Sequence, residues 1–191
     1  AMSLAMVGAG AVGTSAEGMD EALGLAGDEL SSAFGALRQS LADYEGLPKK
    51  VDVRNPPEVP VVHQASRVLV IGEPLNQPFV DRLKVFYDAP AAKVEREAAA
   101  ADLDAWVRTN TAGLIEKSGM LVTPETRAVV QDAVLFAAAW EQEFTYEPTL
   151  PFHAPDGDKD VSYVSGTPEA RWADGDRWRA VRLSYDGVLA A

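Results

Sequence analysis

The chain contains no cysteine, which excludes disulfides, thiolate nucleophiles and cysteine-based zinc sites. The redox compartment therefore stays open. Histidine is scarce too. His63 and His153 are ninety residues apart on segments that read as strands, with no carboxylate spacing beside them to complete a metal site. Basic side chains are outnumbered: 17 Lys and Arg against 29 Asp and Glu give a formal charge of −12. Phosphate contacts need clustered Lys and Arg, so nucleic acid and anionic membrane are not expected partners. No apolar run approaches the ~20 residues that span a bilayer, and nothing fits the Gly-x-Ser-x-Gly of an esterase elbow. What remains is a chain of 191 residues, 47% apolar and 24% charged, long enough to bury a core.

Apolar spacing predicts helices in the first two-thirds. Residues 2–12 read as the end of a buried helix. A short helix follows, with Ser15 as N-cap, acids in its first turns and Gly24 as its stop. Leu30, Phe34, Leu37, Leu41 and Tyr44 recur at three and four, predicting a helix over 28–44. Residues 46–60, with Asn55-Pro56-Pro57, form a loop. A β-branched run predicts a strand near 61–71. Phe79, Leu83, Phe86 and Tyr87 share one face of a helix over 78–87, and 91–96 are extended. A long helix is predicted over 97–117 with Leu103, Trp106, Val107 and Leu114 facing inward. The run from Thr126 to Ala139 reads as a central strand covered on both faces. Short strands are predicted at 149–154, 160–165, 168–174 and 178–185, with turns at Asp156-Gly157 and Asp174-Gly175. Helices first and strands last make the class α+β: a single domain over 1–191, helical to about 117 and strand-rich from about 118.

Gly8-x-Gly10-x-x-Gly13 matches the dinucleotide fingerprint, so an NAD(P)-dependent oxidoreductase is one reading. Its context opposes that reading. Only seven residues precede it, the helix after it is short, and no strand ending in an acid follows near 28–33. The other reading is that these glycines let helices turn and approach. The acid pairs Asp102/Asp104 and Glu141/Glu143 read as solvated faces, since a general acid needs burial to tune it. Trp106, Trp140, Trp172 and Trp178 read as core or strand-face residues. The residues by themselves assign no catalytic, cofactor or metal site.

A resemblance supplies more. Leu103-Asp104-x-Trp106-Val107-x-x-x-Thr111-x-Gly113-x-Ile115, then Asp132-Ala133-Val134-Leu135-Phe136, then Trp140-x-x-x-Phe144, occur in the order and spacing of the serpins, the protease-inhibitor family. Leu4–Met19 resembles the end of that family's second helix and the Gly-Ala-x-Gly-x-Thr turn after it, with Ser15 where the family has Thr. Ala65-Ser66-Arg67-Val68-Leu69-Val70 resembles its Ala-Asn-x-Leu-Phe-Val strand. Phe79–Val94, Pro151-Phe152-His153 with Asp156-Gly157, and Val181–Gly187 resemble later elements. The resemblance implies helices on a large mixed sheet with a smaller antiparallel sheet, incomplete at both ends. It implies a suicide inhibitor of serine or cysteine proteases, whose cleaved reactive loop inserts into the main sheet. The implied receiving strands are 61–71 and 126–139, and the implied moving helix is 97–117. Trp106, Thr111, Gly113, Asp132, Phe136, Trp140 and Phe144 are the implied conformational-switch residues. Two departures stand out: Asp132 takes the place of the family's Asn, and Ala137-Ala138-Ala139 replaces its Lys-Gly step.

The resemblance also implies that this stretch is the N-terminal half, without the reactive loop or the first helix, and so inactive alone. A non-inhibitory binding module is the alternative. The expected partners are the full-length parent's target protease and a second chain, or another copy, completing the sheet. No cofactor is expected. Only the resemblance favours a secreted location.

Overall fold

The computed structural model describes residues 2–52, 54–166 and 171–187. The chain divides into two compact units, one of residues 1–51 and 61–136, the other of 52–60 and 137–191. The architecture is α+β.

In the first unit, α1 (Met2–Gly8), α2 (Thr14–Leu23) and α3 (Gly27–Gln39) precede β1 (Val61–Ile71). Then come α4 (Gln77–Tyr87), β2 (Ala91–Val94), α5 (Arg96–Asn110) and β3 (Ala128–Ala137). β1 lies between β2 and β3. β1 and β2 run parallel, from Val68 opposite Ala91 to Ile71 opposite Val94, and α4 makes the crossover that parallel strands need. α4 starts where the Asn76 side chain accepts from the Phe79 amide, and stops at Asp88 with φ 51°.

Two apolar clusters cover the two faces of this sheet. On one, Ala5, Met6, Leu30, Val68, Leu83 and Tyr87 are buried together under α1, α3 and α4. The Tyr87 hydroxyl donates to the Ala5 carbonyl at 3.2 Å and lies 3.1 Å from Ser31 Oγ, which leaves no polar atom stranded there. On the other face, Leu69, Ile71 and Val129 meet Ala99 and Leu103 of α5.

The glycine fingerprint joins helix to helix, where a nucleotide site needs strand to helix. Gly13, at φ 60°, is the N-cap position of α2, so Ser15 sits inside that helix and the predicted serine cap is displaced by two residues. Gly10 is small because Phe79 approaches it. A Cβ there would stand 2.9 Å from two ring carbons. Gly10→Ala is expected to lower stability by about 1 kcal/mol, the low end of an overpacking cost, because the half-buried ring can shift. A urea midpoint unchanged from the parent would contradict that contact.

Three further expectations need correction. The helix over 28–44 ends at Gln39, followed by a separate 3-10 turn at Ala42–Tyr44, and Leu37 is exposed. The helix over 97–117 ends at Asn110. Ala112 (φ 53°) and Gly113 (φ 79°) turn the chain out, and Leu114, expected inside, is 61% exposed. The strand over 126–139 runs 128–137. It is an edge of the described sheet with alternating burial rather than a central strand covered on both faces.

The second unit holds two antiparallel hairpins, β4 (Thr145–Ala154) with β5 (Gly157–Ser165), and β6 (Arg171–Gly175) with β7 (Trp178–Arg182). Their two-residue turns fall at Pro155-Asp156 and Asp176-Arg177, close to the predicted dipeptides. Residues 168–170 of one predicted strand lie outside the described residues.

Candidate functional site

The structure is most particular where α5 lies on the sheet. β1 and β3 alternate, so one set of side chains faces α5: His63, Arg67, Leu69 and Ile71 from β1, Val129 and Gln131 from β3. The N-terminal half of α5 meets the apolar members of that set. The polar ones meet its middle and its end: Arg67 and Gln131 at Asp102, Leu103 and Trp106, His63 at Asn110.

Arg67 is the centre of the polar half. It is only 8% exposed. Its Nε donates to Gln131 Oε1 at 2.9 Å, one Nη donates to the Asp102 carbonyl at 3.1 Å, and that same nitrogen stands 2.6 Å from Asp102 Oδ1. The guanidinium carbon lies 5.1 Å from the Trp106 ring centroid, a cation–π distance. Gln131 Nε2 in turn donates to the Leu103 carbonyl at 3.3 Å. A buried arginine with a carboxylate, an amide, a carbonyl and an aromatic face leaves little of its charge unmatched.

Of the residues singled out from sequence, Trp106 and Thr111 belong to this interface. Thr111 is buried at the end of α5. Its hydroxyl donates to the Val107 carbonyl at 2.8 Å and accepts from the Ile115 amide at 3.1 Å, while Gly113 supplies the positive φ of the turn. Asp132 and Phe136 point to the other face of β3. Asp132 is exposed and accepts from the Ser3 hydroxyl of α1, and Phe136 is 43% exposed. Trp140 and Phe144 belong to the second unit. Their rings meet edge to face at 5.7 Å, and Trp140 stacks on Tyr185 at 4.3 Å. They border a cavity of about 220 Å³ with Glu141, Arg171 and Leu183.

Asp102 and Asp104 lie on a part-exposed face, as read, and each also holds a partner. Asp102 pairs with Arg67. Asp104 accepts from the Ser118 amide at 2.8 Å and the Ser118 hydroxyl at 2.9 Å, so it ties α5 to the loop beyond it. The bonds from Ser118 hold the Asp104 carboxyl below its ordinary value, backbone first, with Lys117 and Arg108 adding smaller pulls in the same direction. A lowered carboxylate pKa gives stability that is full above the unfolded value and lost as pH falls through the folded one. Asp104→Asn should therefore be less stable than the parent at neutral pH, with the gap closing in acid. Urea midpoints across that range check it, and a gap that stays constant would count against the assignment.

Sequence reasoning missed Arg67, Gln131 and Asn110. Arg67 could have been found: it sits at an inward position of an alternating strand, between Ala65 and Leu69, where a charge must have partners.

The model of the family described as Serpin (serine protease inhibitor) matches residues 1–191. The chain belongs to the serpin family. An uncharacterised serpin-like protein of Thermococcus kodakarensis is 30% identical over 194 residues, covering 97% of this chain and 43% of that protein. The native state of the thermophilic serpin tengpin matches with a TM-score of 0.79 at 19% identity, covering 96% of this chain and 46% of that one. A loop–C-sheet serpin polymer matches at 0.77 and 18% identity, covering 96% and 48%. The chain thus spans less than half the length of each of these serpins, and shares their fold over nearly all of its own.

Proposed function

We propose that this chain supplies the receiving sheet and the covering helix of a protease-trapping serpin. In this reading β1 and β3 take part in accepting an inserted strand, and α5 is the element that moves. One observation carries it. Among the described residues β3 has a single strand neighbour, β1, so its other edge presents main-chain donors and acceptors to an added strand. Membership in a family of protease inhibitors supports the reading, as does the position of α5 across the same sheet.

The target is then a serine or cysteine protease that acylates on a bait loop and is carried off as the loop inserts. The 191 residues alone are expected not to inhibit. The test has two parts. The full-length protein, incubated with serine proteases of differing specificity, should form a complex stable to SDS with at least one. The 191-residue chain should form none, and a stable complex with it would overturn the proposed division of labour. Sheet completion by a second chain or a second copy at the open edge of β3 belongs to the same reading.

A second reading, a non-inhibitory serpin-like binding module, draws on Asp132 and on Ala137-Ala138-Ala139. At Asp132 the carboxylate is held by Ser3 of α1. Heating separates the two readings: loop cleavage in the full-length protein should raise the melting temperature sharply for an inhibitor and leave it unchanged for a module.

A further inference from the structure

We propose that His63 is a proton-dependent latch on the C-terminal end of α5. The proposal rests on the reading of α5 as the moving element, and adds what controls it. The His63 side chain is 14% exposed. Its Nδ1 lies 2.5 Å from Glu45 Oε1, just past the 3-10 turn at Ala42–Tyr44, and its Nε2 lies 3.0 Å from Asn110 Oδ1, the last residue of α5.

The orientation of Asn110 is fixed from its other side. Its Nδ2 donates to the Trp106 carbonyl at 2.9 Å, so its oxygen must be the atom turned toward His63. Both ring nitrogens therefore face acceptors. Only the imidazolium can donate to both. A neutral ring that keeps the bond to Glu45 sets a lone pair against the Asn110 oxygen, and the tie to α5 is lost. The latch is closed with the ring charged and opens as pH rises and the proton leaves.

The surroundings suit this role. A cavity of about 260 Å³ adjoins the ring, bordered by Arg38 of α3, Asp88 after α4, Glu45 and Gln64. Arg38 and Asp88 are the other charges facing it, and they pair with each other at 3.4 Å. Glu45 also takes a long bond from the Gln64 amide at 3.4 Å, which keeps its carboxylate beside β1. The latch holds one end of α5, while Ala99 and Leu103 anchor the other half by apolar contact. Opening it frees the C-terminal turns first.

The test uses amide exchange on the full-length protein between roughly pH 5 and 8, where histidine changes charge, read as protection factors that remove the intrinsic pH dependence. Protection at Val107–Thr111 should fall roughly tenfold, the worth of one charge-assisted hydrogen bond, as the His63 ring signals titrate, while Leu83 in α4 stays constant. His63→Gln should abolish the step. Glu45→Gln, a change at a half-exposed carboxylate, should shrink the step, because the ring loses its charged acceptor, and keeps the test open if the first variant folds poorly. A step that persists in His63→Gln, or one that Glu45→Gln leaves at full size, overturns the latch. Loop-insertion rates measured on the same samples separate the two layers. If protection steps with the ring and insertion does not, the latch stands and the moving-helix reading falls. If protection does not step, the latch falls whatever insertion does.

Discussion

Leu103→Ala should lower the stability of the first unit by about 2–5 kcal/mol, the cost of a leucine cavity that its surroundings cannot close. Leu103 is fully buried at the middle of α5, against Leu69, Ile71, Ala99 and Val129. Three of those neighbours are strand residues locked in a sheet, so collapse around the void is restricted. The carbonyl of residue 103 also accepts from Gln131, a bond the substitution leaves in place, so the loss is one of packing alone. A urea midpoint that drops with an unchanged slope is the expected signature. A loss under about 1 kcal/mol would mean that α5 is not seated on the sheet as described.

The second large effect is an asymmetry. Asp102→Ala removes the carboxylate from a buried guanidinium and should cost about 2–3 kcal/mol. That is below the usual range for breaking a buried pair, because the Asp102 side chain is 43% exposed and water partly replaces it. Arg67→Met removes the buried charge itself and fills much of the same volume, leaving a carboxylate that can turn to solvent. It should cost about 1–2 kcal/mol, less than Asp102→Ala, because the loss falls on neutral acceptors, Gln131 Oε1 and the Asp102 carbonyl, that lose their donor rather than on an unpaired buried charge. The two partners of one ion pair should thus give unequal losses. Equal losses would argue that the contact matters chiefly through the Trp106 stacking and the packing of the arginine stem.

How much of this was legible beforehand depends on the physics of each element. β1 was found with both ends right, because its β-branched run favours an extended chain and is bounded by Pro60 and Gly72. Gly24 was read as a helix stop, and it adopts φ 74° there. α5 was read too long. Its apolar period continues through Leu114, and only the backbone shows that Thr111 caps it and Gly113 turns away. β3 was read as covered on both faces because Val129-Val130 and Ala133-Val134-Leu135-Phe136 are apolar whichever way they point. Val134 is in fact 66% exposed. The seven residues drawn from the family spacing sort into three places, and apart from Trp106 and Thr111 the interface that binds α5 to the sheet is made by others. Arg67, Asp102, His63 and Asn110 come from distant positions, and no local period brings them together.

The order of elements along the chain has a consequence for how the protein is made. Arg67 and Gln131 are hydrogen-bonded across 64 residues, and β3 follows α5 in sequence. As the chain leaves the ribosome, β1 can pair with β2 while its other edge stays bare. α5 emerges next and finds Leu69 and Ile71 but not Val129 or Gln131, so it docks on half a platform. β3, the last strand of this sheet to be made, then takes its place beneath α5. Synthesis thus poses a threading problem beneath α5, and the chain meets it while it is being translated.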